Sequence, residues 1–216
     1  MKFKLEDYLF NRIVPIFDGW IIKKDIKDIY AISFFVYSNE CNNWNGINNI
    51  SEFSINYLAN KHFKNEAATS KEDWDILSSC CQGNLEMQII QPNGESETGK
   101  IIHTKNTEGI KFLFEWYNEN KIVNIGHEDY NNCYDDKNYY IGKGPKGYYE
   151  LLMAVSNVAR RIQQERIIPE KFGKTIPIII HDLEMSAWYI KNAIENANPN
   201  GEAQVFLEAI NNKFIR

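Results

Sequence analysis

Cysteine is scarce in this chain: 216 residues hold four, at Cys41, Cys80, Cys81 and Cys133. No C-x-x-C pair occurs, so neither a disulfide framework nor a zinc site is encoded. Scattered thiols suit a reducing compartment. Histidine is as rare, and none lies one helical turn from His181. No apolar run approaches the roughly 20 residues that cross a bilayer. The start, Met1-Lys-Phe-Lys-Leu-Glu-Asp-Tyr8, lacks a secretory apolar core, and neither Lys2 nor the final Phe-Ile-Arg216 reads as a lipid anchor. Internal repeats, low-complexity tracts and linker-like shifts in composition are missing too. Basic residues are outnumbered, 24 against 29, for a formal net charge of −5. That balance disfavours generic binding to DNA or anionic membrane and leaves room only for a local basic patch.

What is present suffices for a packed core. Hydrophobic residues make up 44% and aromatics 13%, so the expectation is one soluble, cytoplasmic domain over residues 1–216. Residues 4–22 show helical spacing (Leu5, Leu9, Ile13, Phe17, Trp20), with Pro15 expected to kink or divide the helix. Ile29 to Tyr37 is rich in β-branched and aromatic residues and predicts a strand. Ile50 to Leu58 is its expected partner in a long-looped antiparallel hairpin whose loop holds Asn45-Gly46. A helix over about 70–81, a strand through Leu85, Met87 and Ile89, and a returning strand from Gly99 to His103 follow. Thr107 is the expected cap of a helix carrying Ile110, Leu113, Phe114 and Tyr117, and Ile122 to Ile125 reads as a short strand. Tyr148 to Ile168 predicts a long helix closed by Pro169 and Gly173. Ile176 to Ile180 predicts a buried strand, followed by a helix from about Asp182 that Asn198-Pro-Asn-Gly201 breaks. A last helix carries Phe206, Leu207, Ile210 and Phe214. The strands in the first half read as hairpins and the second half is helix-rich. The fold class is therefore α+β, with a mixed, mainly antiparallel sheet, rather than a doubly wound sheet.

Four stretches carry candidate chemistry. His181, Asp182 and Glu184 gather at a strand-to-helix junction, where an imidazole beside carboxylates can act as a general base or the group could hold a divalent cation. The plainer assignment makes Asp182 an N-cap and Glu184 a partner of the helix dipole. Gly142-Lys-Gly-Pro-Lys-Gly147 fits G-x-G-x-x-G and opens a helix, so Lys143, Gly144, Lys146 and Gly147 are candidate phosphate ligands. Pro145 removes one donor, and the acid a dinucleotide fold needs further on is missing. The basic residues Lys143, Lys146, Arg160, Arg161, Arg166, Lys171 and Lys174 would form a patch if they shared a face. Glu128, Asp129, Tyr130, Tyr134, Asp135 and Asp136 form an acidic, tyrosine-bearing loop suited to a protein partner. It lacks the EF-hand pattern. No motif calls for a metal or a cofactor, and Cys80-Cys81 has no neighbouring base to make it a nucleophile.

The segment Phe172-Gly-Lys-Thr-Ile-Pro-Ile-Ile-Ile-His-Asp-Leu-Glu184 resembles the C-terminal part of uncharacterised bacterial proteins of the domain-of-unknown-function 4303 type. Ala197-Asn-Pro199, Phe206, the strand from Ile29 to Tyr37 and the Trp74 region belong to the same likeness, which covers about a third of the chain. It implies a compact bacterial α+β protein and carries no catalytic residues over. Proteins of this sort sometimes stand beside toxins as immunity proteins. The expected function is binding of another protein, with an immunity or antitoxin-like role its sharpest form. The alternative is an enzyme for a phosphorylated or nucleotide-like small molecule, using the 142–147 loop and His181.

Overall fold

The computed structural model describes residues 5–22, 29–38, 43–48, 50–59, 99–104, 106–122, 136–137, 146–181 and 188–208. They form an α+β fold. Helix α1 (Leu5–Ile22) leads into strand β1 (Ile29–Ser38), the small strands β2 (Asn43–Trp44) and β3 (Ile47–Asn48), β4 (Ser51–Ala59) and β5 (Lys100–Ile102). Helix α2 (Thr107–Glu119), α3 (Lys146–Gln164), α4 (Ile167–Phe172), β6 (Ile178–His181) and α5 (Trp188–Ala197) follow. A last helical turn covers 204–208. Among the described residues the main sheet runs β5-β4-β1-β6. The β1–β4 and β4–β5 pairs are antiparallel, and β1–β6 is parallel.

Strand alternation gives this sheet two different faces. Ile32, Phe34 and Val36 of β1 stand opposite Tyr57, Ile55 and Phe53 of β4. All are buried, and they form one core with the apolar stripe of α3 (Leu151, Leu152, Val155, Val158, Ile162) and with Leu9, Ile13 and Phe17 of α1. Trp20 of α1 meets Tyr57 edge-on. Each such large side chain contributes about 1.5–3 kcal/mol when removed from water. The opposite face carries Ser33, Phe35 and Tyr37 of β1 beside Asn56, Ser54 and Glu52 of β4, with His181 next to Phe35. This face is polar, yet Ser33, Phe35, Glu52, Ser54 and His181 are all at most 5% exposed.

Several sequence expectations are corrected in detail. Pro15 does not divide α1. It lies on the exposed side with Asn11, where the carbonyl it leaves unpaired can face water. The helix expected over 148–168 is two, α3 and α4, separated at Arg166, which adopts a left-handed conformation with φ 59°. Pro169 explains the break: it has no N–H to offer the carbonyl one turn upstream, at Glu165, and its ring clashes there, but it fits the first turn of α4. The last strand runs Ile178–His181 rather than 176–180. Strand β5 is bound to β4 on one edge, and the sequence expects the 85–89 strand alongside it. That strand, the 70–81 helix, the 123–125 strand residues, the start of the helix after His181, and Ile210 and Phe214 of the last helix lie outside the described residues. Ile122 follows α2 outside any strand.

Asparagines join the layers. Asn198, 5% exposed, works like one residue of an added strand on the outer edge of β6. Its Oδ1 accepts from the Ile178 N–H at 2.9 Å and its Nδ2 donates to the Ile178 carbonyl at 2.7 Å. The same Nδ2 reaches Ile194 of α5, and Gln163 of α3 donates to both Asn198 and Ile176. Asn106, not Thr107, caps α2: its Oδ1 accepts from the Gly109 N–H at 3.3 Å, while its Nδ2 donates to the Ile101 carbonyl at 3.0 Å. The helix start is thereby stitched to β5. Gly109 sits so near β5 that an added Cβ would run into the Ile101 carbonyl oxygen.

Gly109→Ala tests that contact, because propensity and sterics oppose each other there. Helix propensity alone predicts a gain of about 1 kcal/mol. The close approach predicts a net loss of roughly 2 kcal/mol, read as a lower urea midpoint with an unchanged denaturant slope. A stabilised variant would contradict the contact.

Candidate functional site

Glu52 is the least expected residue of the sheet, a carboxylate 1% exposed in the middle of the polar face. Burying such a group is costly unless its oxygens find donors. Four supply them. The Tyr37 hydroxyl, directly across the β1–β4 pair, donates to Oε2 at 2.5 Å. His103 Nε2 lies 3.3 Å from the same oxygen. The Thr104 backbone N–H and hydroxyl donate to Oε1 at 3.0 and 3.1 Å. Residues 103 and 104 form the corner between β5 and α2, so this carboxylate ties the strand pair to the next helix.

The second constellation on this face is Ser33 with His181. Their side chains lie 2.8 Å apart, Oγ to Nε2, with exposures of 0% and 1%. The parallel pairing of β1 with β6 places them near each other, since Ser33 stands opposite Ile179 and Phe35 opposite His181. Phe35 bridges the two constellations, with its ring 5.0 Å from His181 and stacked on Tyr37 at 4.5 Å. A continuous band, Ser33–His181–Phe35–Tyr37–Glu52–His103, thus crosses the sheet.

The sequence-derived candidates fare unevenly. His181 closes β6 and is bonded to Ser33; Asp182 and Glu184 lie outside the described residues. Lys146 and Gly147 open α3, with Gly147 buried and its carbonyl accepting the Tyr117 hydroxyl at 3.0 Å. Lys143 and Gly144 lie outside. So do Glu128, Asp129, Tyr130, Tyr134 and Asp135, while Asp136 stands exposed in a turn with Lys137. Lys143 and the Lys146 side chain lie outside the described residues, and three of the other basic residues have their own partners. Arg161 pairs with Asp7 and Glu165 and covers the Phe10 ring, Lys171 pairs with Asp18, and Arg160 donates to Asn196. Among the described residues no cluster of three or more metal-ligating side chains forms.

Sequence reasoning missed Glu52, Tyr37, His103 and Ser33. In Ser51-Glu-Phe-Ser-Ile-Asn-Tyr57 the alternation assigns Glu52, Ser54 and Asn56 to a solvent face. One signal pointed the other way: β1 is apolar at almost every position, Phe35 and Tyr37 included, as expected of a strand covered on both sides.

Burial, and next the Glu52 carboxylate, raise the Tyr37 hydroxyl pKa far above its ordinary value of 10.0. Burial raises Tyr117 as well. A comparison with known proteins adds no relative: no family model, no curated protein and no solved structure matches the chain.

Two outcomes follow. Glu52→Gln leaves an amide N–H among donors, and should lower stability by roughly 2–4 kcal/mol in urea unfolding. A change within about 0.5 kcal/mol would show that the carboxylate is not held this way. The raised Tyr37 pKa means the folded state retains a proton the unfolded chain gives up near pH 10. Its stabilising effect is present below about pH 10 and is lost as pH rises toward the folded value. Tyr37→Phe should therefore flatten the alkaline fall of the urea midpoint; an unchanged slope would contradict this.

Proposed function

We propose that the chain works by binding another protein, and that its sharpest form is an immunity or antitoxin-like protein that neutralises its partner. The observation that supports this reading is the state of the titratable groups the fold brings together. Both Glu52 oxygens are occupied by donors, and His181 is bonded to Ser33 away from solvent. Groups held so tightly maintain the fold. A general base must instead reach the proton of a bound substrate. Exposed charge lies elsewhere, at Asp136 in the acidic stretch that also holds Glu128, Asp129 and Asp135. A basic partner would meet it with complementary charge, and Tyr130 and Tyr134 would anchor the contact.

No described helix is long and apolar enough to cross a membrane, and the scattered cysteines fit a reducing bacterial cytosol as the setting. The likeness of residues 172–184 to the domain-of-unknown-function 4303 type points to the same class by analogy alone. The enzymatic alternative would need His181 and the 142–147 loop around one ligand.

A native pull-down of the tagged chain from its own cells, followed by native mass spectrometry, tests the reading. A stoichiometric protein partner is expected. Replacing Asp135 and Asp136 by Lys should then weaken binding at least about tenfold and reduce its salt dependence. A retained small molecule without protein would overturn the reading, and unchanged affinity in the Lys variant would remove this surface from it.

A further inference from the structure

The turn between β2 and β3 is built on Asn45-Gly46, with φ of 51° and 84°. Two successive positive values identify the primed hairpin turn that Asn-Gly favours. Both residues are exposed, and nothing lies within 4 Å of the position a Cβ would take at Gly46. The chain repeats the dipeptide at Asn93-Gly94, outside the described residues, and at Asn200-Gly201. Asn200 and Gly201 are equally exposed, so exposure does not separate the two described turns. Their bonding does.

Asn200 is held on every side that matters for reaction at its amide. Its Nδ2 donates to Glu202 Oε1 at 2.9 Å and its backbone N–H to Glu202 Oε2 at 3.0 Å. The Gly201 N–H donates to the Asn198 carbonyl at 3.1 Å, in a turn flanked by the buried Ala197 and Ala203. The Glu202 carboxylate also opposes formation of an anionic nitrogen beside it. Asn45 has no such clamp: its side chain makes no hydrogen bond to a described residue. The Gly46 N–H has one long bond, 3.3 Å to Asn43 Oδ1. Among the described residues the surrounding ladder is two pairs long and separate from the main sheet. So short a hairpin opens at little free-energy cost.

We propose that Asn45 is a site of spontaneous covalent modification, deamidating through a cyclic imide faster than Asn200. The Gly46 backbone nitrogen loses its proton and attacks the Asn45 Cγ. A nitrogen–Cγ bond forms, the Cγ–Nδ2 bond breaks, and ammonia leaves carrying a proton. Water then opens the ring at either carbonyl, giving aspartate or isoaspartate. One water is consumed, one ammonia is released, and nothing is oxidised or reduced. Each event adds one negative charge to the formal −5. The isoaspartate product also inserts a methylene into the main chain at the apex of the turn.

The test is timed incubation of the full folded chain in mildly alkaline buffer, with peptide mapping that resolves Asn, Asp and isoAsp. Asn45 should convert roughly tenfold faster than Asn200, and the two rates should converge in strong urea, where the turns are gone. An Asn45 rate equal to or below that of Asn200 in the folded chain overturns the proposal. Gly46→Ala hinders the attacking nitrogen and should slow conversion at Asn45 while Asn200 is unchanged. Undiminished conversion in that variant would overturn the cyclic route.

Discussion

A buried carboxylate sets the terms for the polar side of this molecule. Glu52 is placed by strand alternation on a sheet face that excludes water, and its charge has to be met there by donors. Tyr37 comes from the neighbouring strand, and His103 and Thr104 from the corner that leads into α2. Those donors come from separate stretches of chain. The carboxylate is thus satisfied only when β1, β4 and the β5–α2 corner are in register. A slip of one residue in β4 would turn Glu52 into the apolar core and Phe53 away from it.

The two faces of the sheet divide the labour of stabilisation. The Ile32–Phe34–Val36 face supplies apolar burial against α1 and α3, which is large but tolerant of substitutions of similar volume. The opposite face supplies directional bonds, which fix geometry more than they add net stability. Asn198 extends the same logic to the edge of β6, where a side chain takes the place a further strand would fill. Surface pairs such as Arg161 with Asp7 and Lys171 with Asp18 link the helices and contribute little energy each.

The fold class was legible because the signals for it are local. The spacing of Leu5, Leu9, Ile13 and Phe17 and the stripe through Leu151, Val155 and Ile162 follow helical periodicity. The run from Ile29 to Tyr37 could hardly be anything but a strand. Details of termination were less legible: Pro15 is tolerated where Pro169 breaks a helix, because solvent exposure at one and position within a first turn at the other decide the outcome. The polar band was not legible. Ser33 and His181 are 148 residues apart in sequence, and Glu52 follows a pattern that alone assigns it to water. Only the crossing of strands from distant parts of the chain reverses that assignment. The acidic and glycine-rich motifs were conspicuous for the opposite reason, since composition marks them without any tertiary contact.

The proposal that recognition falls to exposed charge rests on the buried titratable groups being held by the fold. Amide hydrogen exchange at Thr104 tests this most directly. With its N–H held by Glu52, Thr104 should exchange only through global unfolding, and Glu52→Gln should speed its exchange by more than the variant's loss of global stability explains. Exchange in the wild type at the rate of an open loop would contradict the account, because Glu52 would then be free to meet a ligand instead of holding the fold.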